Sequence, residues 1–196
     1  ESGYTKGDLV DYYTRVAPVP LPHLRDRPLV VTRYPDGITG KAFYQKNLPD
    51  HTPEWVRTFP YYSLHSKRTI SFCVVDNIET LVWLSNQACL ELHPWLSRCD
   101  RPDYPDYAVF DLDPDPPAGY DDTVEVATTV KALLDELRLA AGLKTSGATG
   151  LHIYVPLARS YTYEVVRRFV EEVGGYTASY REEVERLGMR YLGVGC

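Results

Sequence analysis

Apolar and polar positions in the second half of the chain follow two distinct periods. In Tyr107-Ala108-Val109-Phe110-Asp111-Leu112-Asp113 the alternation predicts a strand with Ala108, Phe110 and Leu112 on one face and both carboxylates together on the other. Val126, Val130, Leu133, Leu134 and Leu137 then recur at helical spacing, predicting a helix capped by Asp121 or Asp122 that runs to about Leu139. Strands over 143–146 and 151–157 flank the turn Gly147-Ala148-Thr149-Gly150, and Thr162 can cap a helix over 163–173. The order strand, helix, hairpin, helix predicts an α/β (α+β) fold whose mixed or antiparallel central sheet carries flanking helices on one side.

The first half is less regular. Leu9, Val10, Tyr12, Tyr13 and Val16 give a broad apolar stripe on a helix over 6–16, which Pro18, Pro20 and Pro22 end. Residues 29–34 are β-branched and strand-like, Pro35-Asp36-Gly37 is a turn, and short strands are expected over 41–46 and 69–75. Between Ile78 and Leu92 the apolar spacing is helical, with Leu92-His93-Pro94-Trp95 stopping the helix.

Composition narrows the class. The chain has 196 residues, 44% apolar and 12% aromatic, enough for a compact core in one domain or two intertwined lobes. No apolar run approaches the ~20 residues of a membrane span and the first residues lack signal-peptide character, so a soluble, cytoplasmic protein is expected. Cys73, Cys89, Cys99 and Cys196 form no C-x-x-C pair and have no histidine at zinc spacing, which leaves reduced thiols; Cys73 and Cys89 lie in apolar segments.

The net charge of -6 conceals a segregation. Residues 1–70 carry ten basic and seven acidic side chains, residues 71–137 three and fourteen, and residues 138–196 eight and six. The acid concentrates around Asp111 and Asp113. Two carboxylates on one strand face repel unless a cation joins them, and hard oxygen donors suit Mg2+ or Mn2+, the ions of phosphoryl transfer. Alone, the pattern fits a strand entering a polar turn better than a metal site.

A second constellation weighs against that reading. In Lys144-Thr145-Ser146-Gly147-Ala148-Thr149-Gly150-Leu151-His152-Ile153-Tyr154-Val155-Pro156 two glycines bracket a tight turn, where backbone N–H groups and the Ser146 and Thr149 hydroxyls can cradle phosphate oxygens. His152 and Tyr154 share one strand face, placing the histidine in the same cleft as the carboxylates. Each feature singly also fits an ordinary hairpin or a satisfied histidine. A metal-type acid pair beside a phosphate-type turn is harder to dismiss.

Six ordered motifs, Thr5-Lys6-Gly7-Asp8-Leu9, Arg33-Tyr34-Pro35-Asp36-Gly37, Phe43-Tyr44-Gln45-Lys46-Asn47, Glu91-Leu92-His93-Pro94-Trp95, the 109–114 acid strand and the 145–156 hairpin, resemble the polymerase domain of bacterial and archaeal ligase D. That domain belongs to the archaeo-eukaryotic primase superfamily. The resemblance covers residues 4–170. It implies a primase-polymerase fold with an RRM-like catalytic lobe, here a single domain with an N-terminal DNA-binding lobe over 1–100 and a catalytic lobe over 101–196. It also implies a template-dependent nucleotidyltransferase that fills or extends DNA ends in non-homologous end joining, acting with Mn2+ or Mg2+ in a two-metal site. Its partners would be gapped or broken DNA with 5′-phosphate ends, NTP or dNTP, Ku and a DNA ligase, at the nucleoid.

By the same resemblance Asp111 and Asp113 bind the metals, and His93, Ser146, Gly147, Thr149 and His152 surround the incoming nucleotide. Phe43 and Tyr44 stack on template or nucleotide, while Lys6, Lys46 and Arg33 hold DNA. Many relatives have lysine where this chain has Thr149, so another group must supply that charge. A third catalytic aspartate is expected on a later strand, yet the last aspartate is Asp135. The expectation is therefore an incomplete domain whose C-terminal part is missing, or less favourably a shortened one using Glu182, Glu183 or Glu185, with weak nucleotide binding and poor catalysis. The alternatives are a haloacid-dehalogenase-like phosphatase, which usually places Gly-Thr after its acid pair, a manganese-dependent glycosyltransferase, and a DNA-end-binding module that has lost activity.

Overall fold

The computed structural model describes residues 3–147, 149–179 and 190–192. The chain forms two compact units, residues 1–100 and 101–196. Both are α+β, and among the described residues every strand pairing is antiparallel.

The first unit opens with α1 (Lys6–Val16), whose N-cap Thr5 and first-turn partner Asp8 bond reciprocally, each satisfying a backbone N–H that the helix leaves free. A one-turn helix, α2 (Leu21–Leu24), succeeds it within the proline run. The sheet has strands β1 (Pro28–Arg33), β2 (Phe43–Gln45), β3 (Thr58–Ser63) and β4 (Arg68–Val74), in the order β2-β1-β4-β3. Helix α3 (Ile78–Asn86) precedes β5 (Cys89–Pro94), which pairs with β1. The core gathers Tyr13, Leu29, Val31, Cys73, Val75, Leu81, Leu84 and Cys89. Burial pushes the Cys73 and Cys89 thiols up to about 12 and about 11, so they act as small apolar groups.

In this unit the structure departs from the sequence reading at three points. The helix expected from Ile78 to Leu92 ends at Asn86, because Ala88 turns the backbone to φ 58° and frees Cys89–Pro94 to form a strand on β1. Helical spacing of Ala88, Cys89 and Leu92 was coincidental with the burial of a strand end. β3 was unanticipated: Pro60 disqualifies a central strand, but among the described residues β3 is an edge strand paired with β4 alone, where proline costs no ladder bond on the open side. Tyr12, placed in the apolar stripe of α1, is exposed, and Tyr13 is buried.

The second unit has β6 (Tyr107–Asp113), α4 (Tyr120–Glu136), β7 (Gly142–Thr145), β8 (Leu151–Pro156), α5 (Tyr163–Ser179) and β9 (Arg190–Leu192), with strand order β7-β8-β6-β9. One sheet face presents Ala108, Phe110, Leu112, Leu151, Ile153 and Val155. They meet Val126, Val130 and Leu134 of α4 and Val166, Val170 and Val173 of α5. The helices thus cover one face and leave the other for polar chemistry. The cap of α4 is Gly119, with Asp122 accepting its N–H at 2.7 Å, rather than Asp121 or Asp122 itself. Leu137, expected on the buried face, is exposed, because Leu137 is already the C-cap and Arg138 turns to φ 58°. Among the described residues no helix is long and apolar enough to cross a membrane.

Candidate active site

β6 is an inner strand of its sheet, so its position is fixed by ladder bonds on both edges. The burial pattern alternates strictly from Ala108 to Asp113, with Ala108, Phe110 and Leu112 buried and Asp111 and Asp113 on the open face. The carboxylates lie together where alternation puts them.

Register then sets their neighbours. Asp111 pairs with His152 of β8, and His152 Nε2 lies 3.0 Å from Asp111 Oδ1. Asp111 Oδ1 is nonetheless buried without an aligned hydrogen bond, so the imidazole is near enough for ion pairing but does not satisfy the oxygen's lone pair. Gly150 closes the other side. A Cβ there would penetrate Asp113 Oδ1 and stand 2.7 Å from Leu112 O, so only glycine lets the hairpin approach the second carboxylate. Ser146 locks the hairpin, its N–H donating to Gly150 O at 3.0 Å and its Oγ accepting from Gly150 N at 3.1 Å. Gly147 adopts φ 113°, a conformation that favours glycine, and Thr149 is exposed at the tip. Ala148 lies outside the described residues.

An orphaned, buried carboxylate oxygen and a second carboxylate kept accessible by glycine fit a divalent cation with oxygen ligands. Among the described residues the donor set has two carboxylates, Asp111 and Asp113. Among the described residues no group of three or more His, Cys, Asp or Glu is placed to hold a metal. On its far edge β6 pairs with β9, which sets Leu192 opposite Asp111 and Arg190 opposite Asp113, so the register supplies no third aspartate there. Glu182, Glu183 and Glu185 lie outside the described residues.

The remaining predicted residues belong to the first unit. His93 on β5 is exposed, with Nε2 2.9 Å from Thr32 Oγ1 and 3.3 Å from Glu91 Oε2, and its ring 5.6 Å from that of Tyr44. Glu91 sits opposite Thr32 and accepts from the Tyr34 hydroxyl, whose bond holds the carboxyl below its usual range and raises the phenol. Phe43 and Tyr44 are exposed aromatics on β2. Arg33 lies 5.6 Å from the Phe43 ring centroid, and its guanidinium donates to Gln45 Oε1, Gln87 O and Gln87 Oε1. Lys46 is exposed beyond β2, and Lys6 borders a cleft of about 720 Å³ with Tyr4, Tyr12, Arg15 and Tyr34.

Sequence reading missed Lys144, which β7 places directly opposite His152 with Nζ 3.5 Å from His152 Nδ1. The signal was present. A hairpin closed between Ser146 and Gly150 pairs residues two positions further out on each arm, and those are Lys144 and His152. The polar partners of His93, Thr32 and Glu91, were also unanticipated, because their placement depends on β5 being a strand.

An antiparallel α+β framework with an acid pair on the open face of an inner strand, beside a glycine hairpin, is the layout of a primase-polymerase type of domain. The structure superposes on the polymerase domain of Mycobacterium tuberculosis ligase D, solved in complex with DNA, with a TM-score of 0.84 and 30% identity over 91% of this chain and 64% of that one. The family profile described as LigD, primase-polymerase domain, matches residues 5–187, and the chain belongs to that family. It is 36% identical over 188 residues to the bifunctional non-homologous end joining protein LigD of Bacillus subtilis, covering 93% of this chain and 30% of that protein. The multifunctional LigD of Mycolicibacterium smegmatis is 36% identical over 159 residues, and that of Pseudomonas aeruginosa 33% over 180. These cover 80% and 91% of this chain, and 21% of each relative. The chain thus spans less than a third of the curated relatives it matches.

Proposed function

We propose that this chain is a template-dependent nucleotidyltransferase that adds nucleotides to gapped or broken DNA ends during non-homologous end joining. The observation that carries the reading is the pair Asp111 and Asp113 on one open strand face, with a buried carboxylate oxygen left without a hydrogen bond and Gly150 held against its neighbour. Family membership supports the reaction class, and the DNA-bound polymerase domain supports the substrate. The phosphatase and glycosyltransferase alternatives find no support in the fold or the relatives.

Asp111 and Asp113 are the residues to hold divalent metal, Mn2+ or Mg2+. When bound, such ions neutralise the paired carboxylates and the triphosphate, and stabilise charge as phosphoryl transfer proceeds. The chain's own groups do the rest. Ser146 and the N–H groups about Gly147 and Thr149 face phosphate oxygens, and His152 offers a ring N–H beside Asp111. Phe43 and Tyr44 stack bases, and His93, oriented by Thr32 and Glu91, contacts the nucleotide. Lys6 and Lys46 engage DNA phosphates. Arg33, already bonded to Gln45 and Gln87, serves first to position Phe43, leaving its other N–H groups for DNA. The partners of such an enzyme are 5′-phosphorylated DNA ends, NTP or dNTP, Ku and a ligase, at the bacterial nucleoid.

Incorporation of labelled nucleotide on a gapped duplex tests the reading. Asp111→Ala and Asp113→Ala are each expected to abolish incorporation while leaving DNA affinity within about twofold. Retained incorporation in both variants would overturn the assignment.

A further inference from the structure

The register of the second sheet builds a transverse row of three charged or ionisable side chains. Lys144 pairs with His152 across β7 and β8, and His152 pairs with Asp111 across β8 and β6. Directly paired residues share a sheet face, so all three project on the side the helices leave open. Side-chain distances agree: Lys144 Nζ lies 3.5 Å from His152 Nδ1, and His152 Nε2 lies 3.0 Å from Asp111 Oδ1. Adjacent strands are ~4.8 Å apart, which puts the lysine and aspartate backbones ~10 Å from each other with the imidazole between.

We propose that Lys144 binds the polyphosphate of the incoming nucleotide, at the end farther from the reacting phosphorus. This rests on the nucleotidyltransferase reading and names a residue to which that reading gave no role. A triphosphate is a chain of anionic groups several ångströms long. With its reacting end at Asp111 and Asp113, it passes over His152, and its far oxygens reach the ammonium of Lys144. The ammonium is suited to this because it is an exposed point charge with three donors, one of which now goes to Thr145 O at 2.7 Å. No other lysine or arginine occupies β6, β7 or β8, and Arg190 of β9 pairs with Asp113 on the opposite edge of β6, away from the hairpin side on which Lys144 stands. A row graded from anion through imidazole to cation sets the direction in which a polyphosphate lies.

Competition by ATP, ADP and AMP against a fluorescent ATP, with Mg2+ and without DNA, tests the proposal on the intact chain. Lys144→Met is expected to weaken ATP roughly 10- to 100-fold, the range of a charge-assisted contact, and to leave AMP within about twofold. Lys144→Arg keeps most ATP affinity. Mn2+ binding followed by electron paramagnetic resonance and the melting temperature stay unchanged in Lys144→Met, which separates lost contact from lost structure. ATP affinity equal to the unaltered chain, or equal losses for ATP and AMP, would overturn the role of Lys144. Asp111→Ala distinguishes the underlying reading: if it retains Mn2+ binding while Lys144→Met loses ATP, the metal assignment fails and the lysine stands. An unaltered chain that does not prefer ATP to AMP sinks both.

Discussion

Gly150 is the residue on which the site's geometry turns. Two glycines bracket the hairpin, but only Gly150 is pressed between a carboxylate, a strand carbonyl and the Ser146 hydroxyl. A methyl group there cannot be accommodated by rotating a flexible side chain, since one of the obstacles is the backbone oxygen of Leu112. Gly150→Ala is therefore expected to push the hairpin off β6, lowering stability by about 1–3 kcal/mol as overpacking does and weakening Mn2+ binding by displacing Asp113. Gly147→Ala meets no atom within 4 Å, so its cost comes from φ 113° alone and metal binding should persist. Thermal melts and Mn2+ titration of both variants check the contrast. If Gly150→Ala binds Mn2+ like the unaltered chain, the hairpin does not shape the acid pair.

At the scale of elements, a helix face is decided by where the helix ends as much as by periodicity. Leu134 and Leu137 both fit the apolar stripe of α4, yet Leu134 is fully buried against the sheet and Leu137 is mostly exposed. Leu134→Ala should cost about 2–5 kcal/mol, and Leu137→Ala should stay within about 0.5 kcal/mol. Chemical denaturation of the two variants would settle which leucines build the core; comparable losses would mean the α4 packing is wrongly drawn. The same logic explains β5. Its residues were legible as apolar but not as a strand, because a single left-handed residue, Ala88, ends α3 early and only pairing with β1 recruits Cys89–Pro94 into the sheet. Helices α1 and α4, strands β1 and β6 and the β7–β8 hairpin were readable because pattern, cap or turn chemistry agreed locally.

For the whole molecule, a bulk charge of -6 predicts repulsion from DNA, whereas the distribution predicts otherwise. The acid is concentrated in residues 71–137, and exposed lysines such as Lys6 and Lys46 lie outside that stretch. DNA binding should thus be driven by local phosphate contacts and fall as salt rises. Lys46→Ala is expected to weaken duplex binding and reduce the magnitude of the slope of log K against log salt by about 0.9, the loss of one phosphate contact. A slope unchanged by the substitution would remove Lys46 from the interface.

Sequence by itself determined the acid strand, the turn after β7, the two cysteines that fill the first core and the family resemblance, because each is encoded in residues close along the chain. Period-two alternation alone put Asp111 and Asp113 on one face. Only the tertiary structure decided that His152 stands opposite Asp111, that Gly150 is wedged against Asp113, that Lys144 completes the row, and that Glu91 and Thr32 flank His93. Those relations depend on strand register, and register is set by long-range pairing and turn closure, which no local pattern of hydrophobicity specifies.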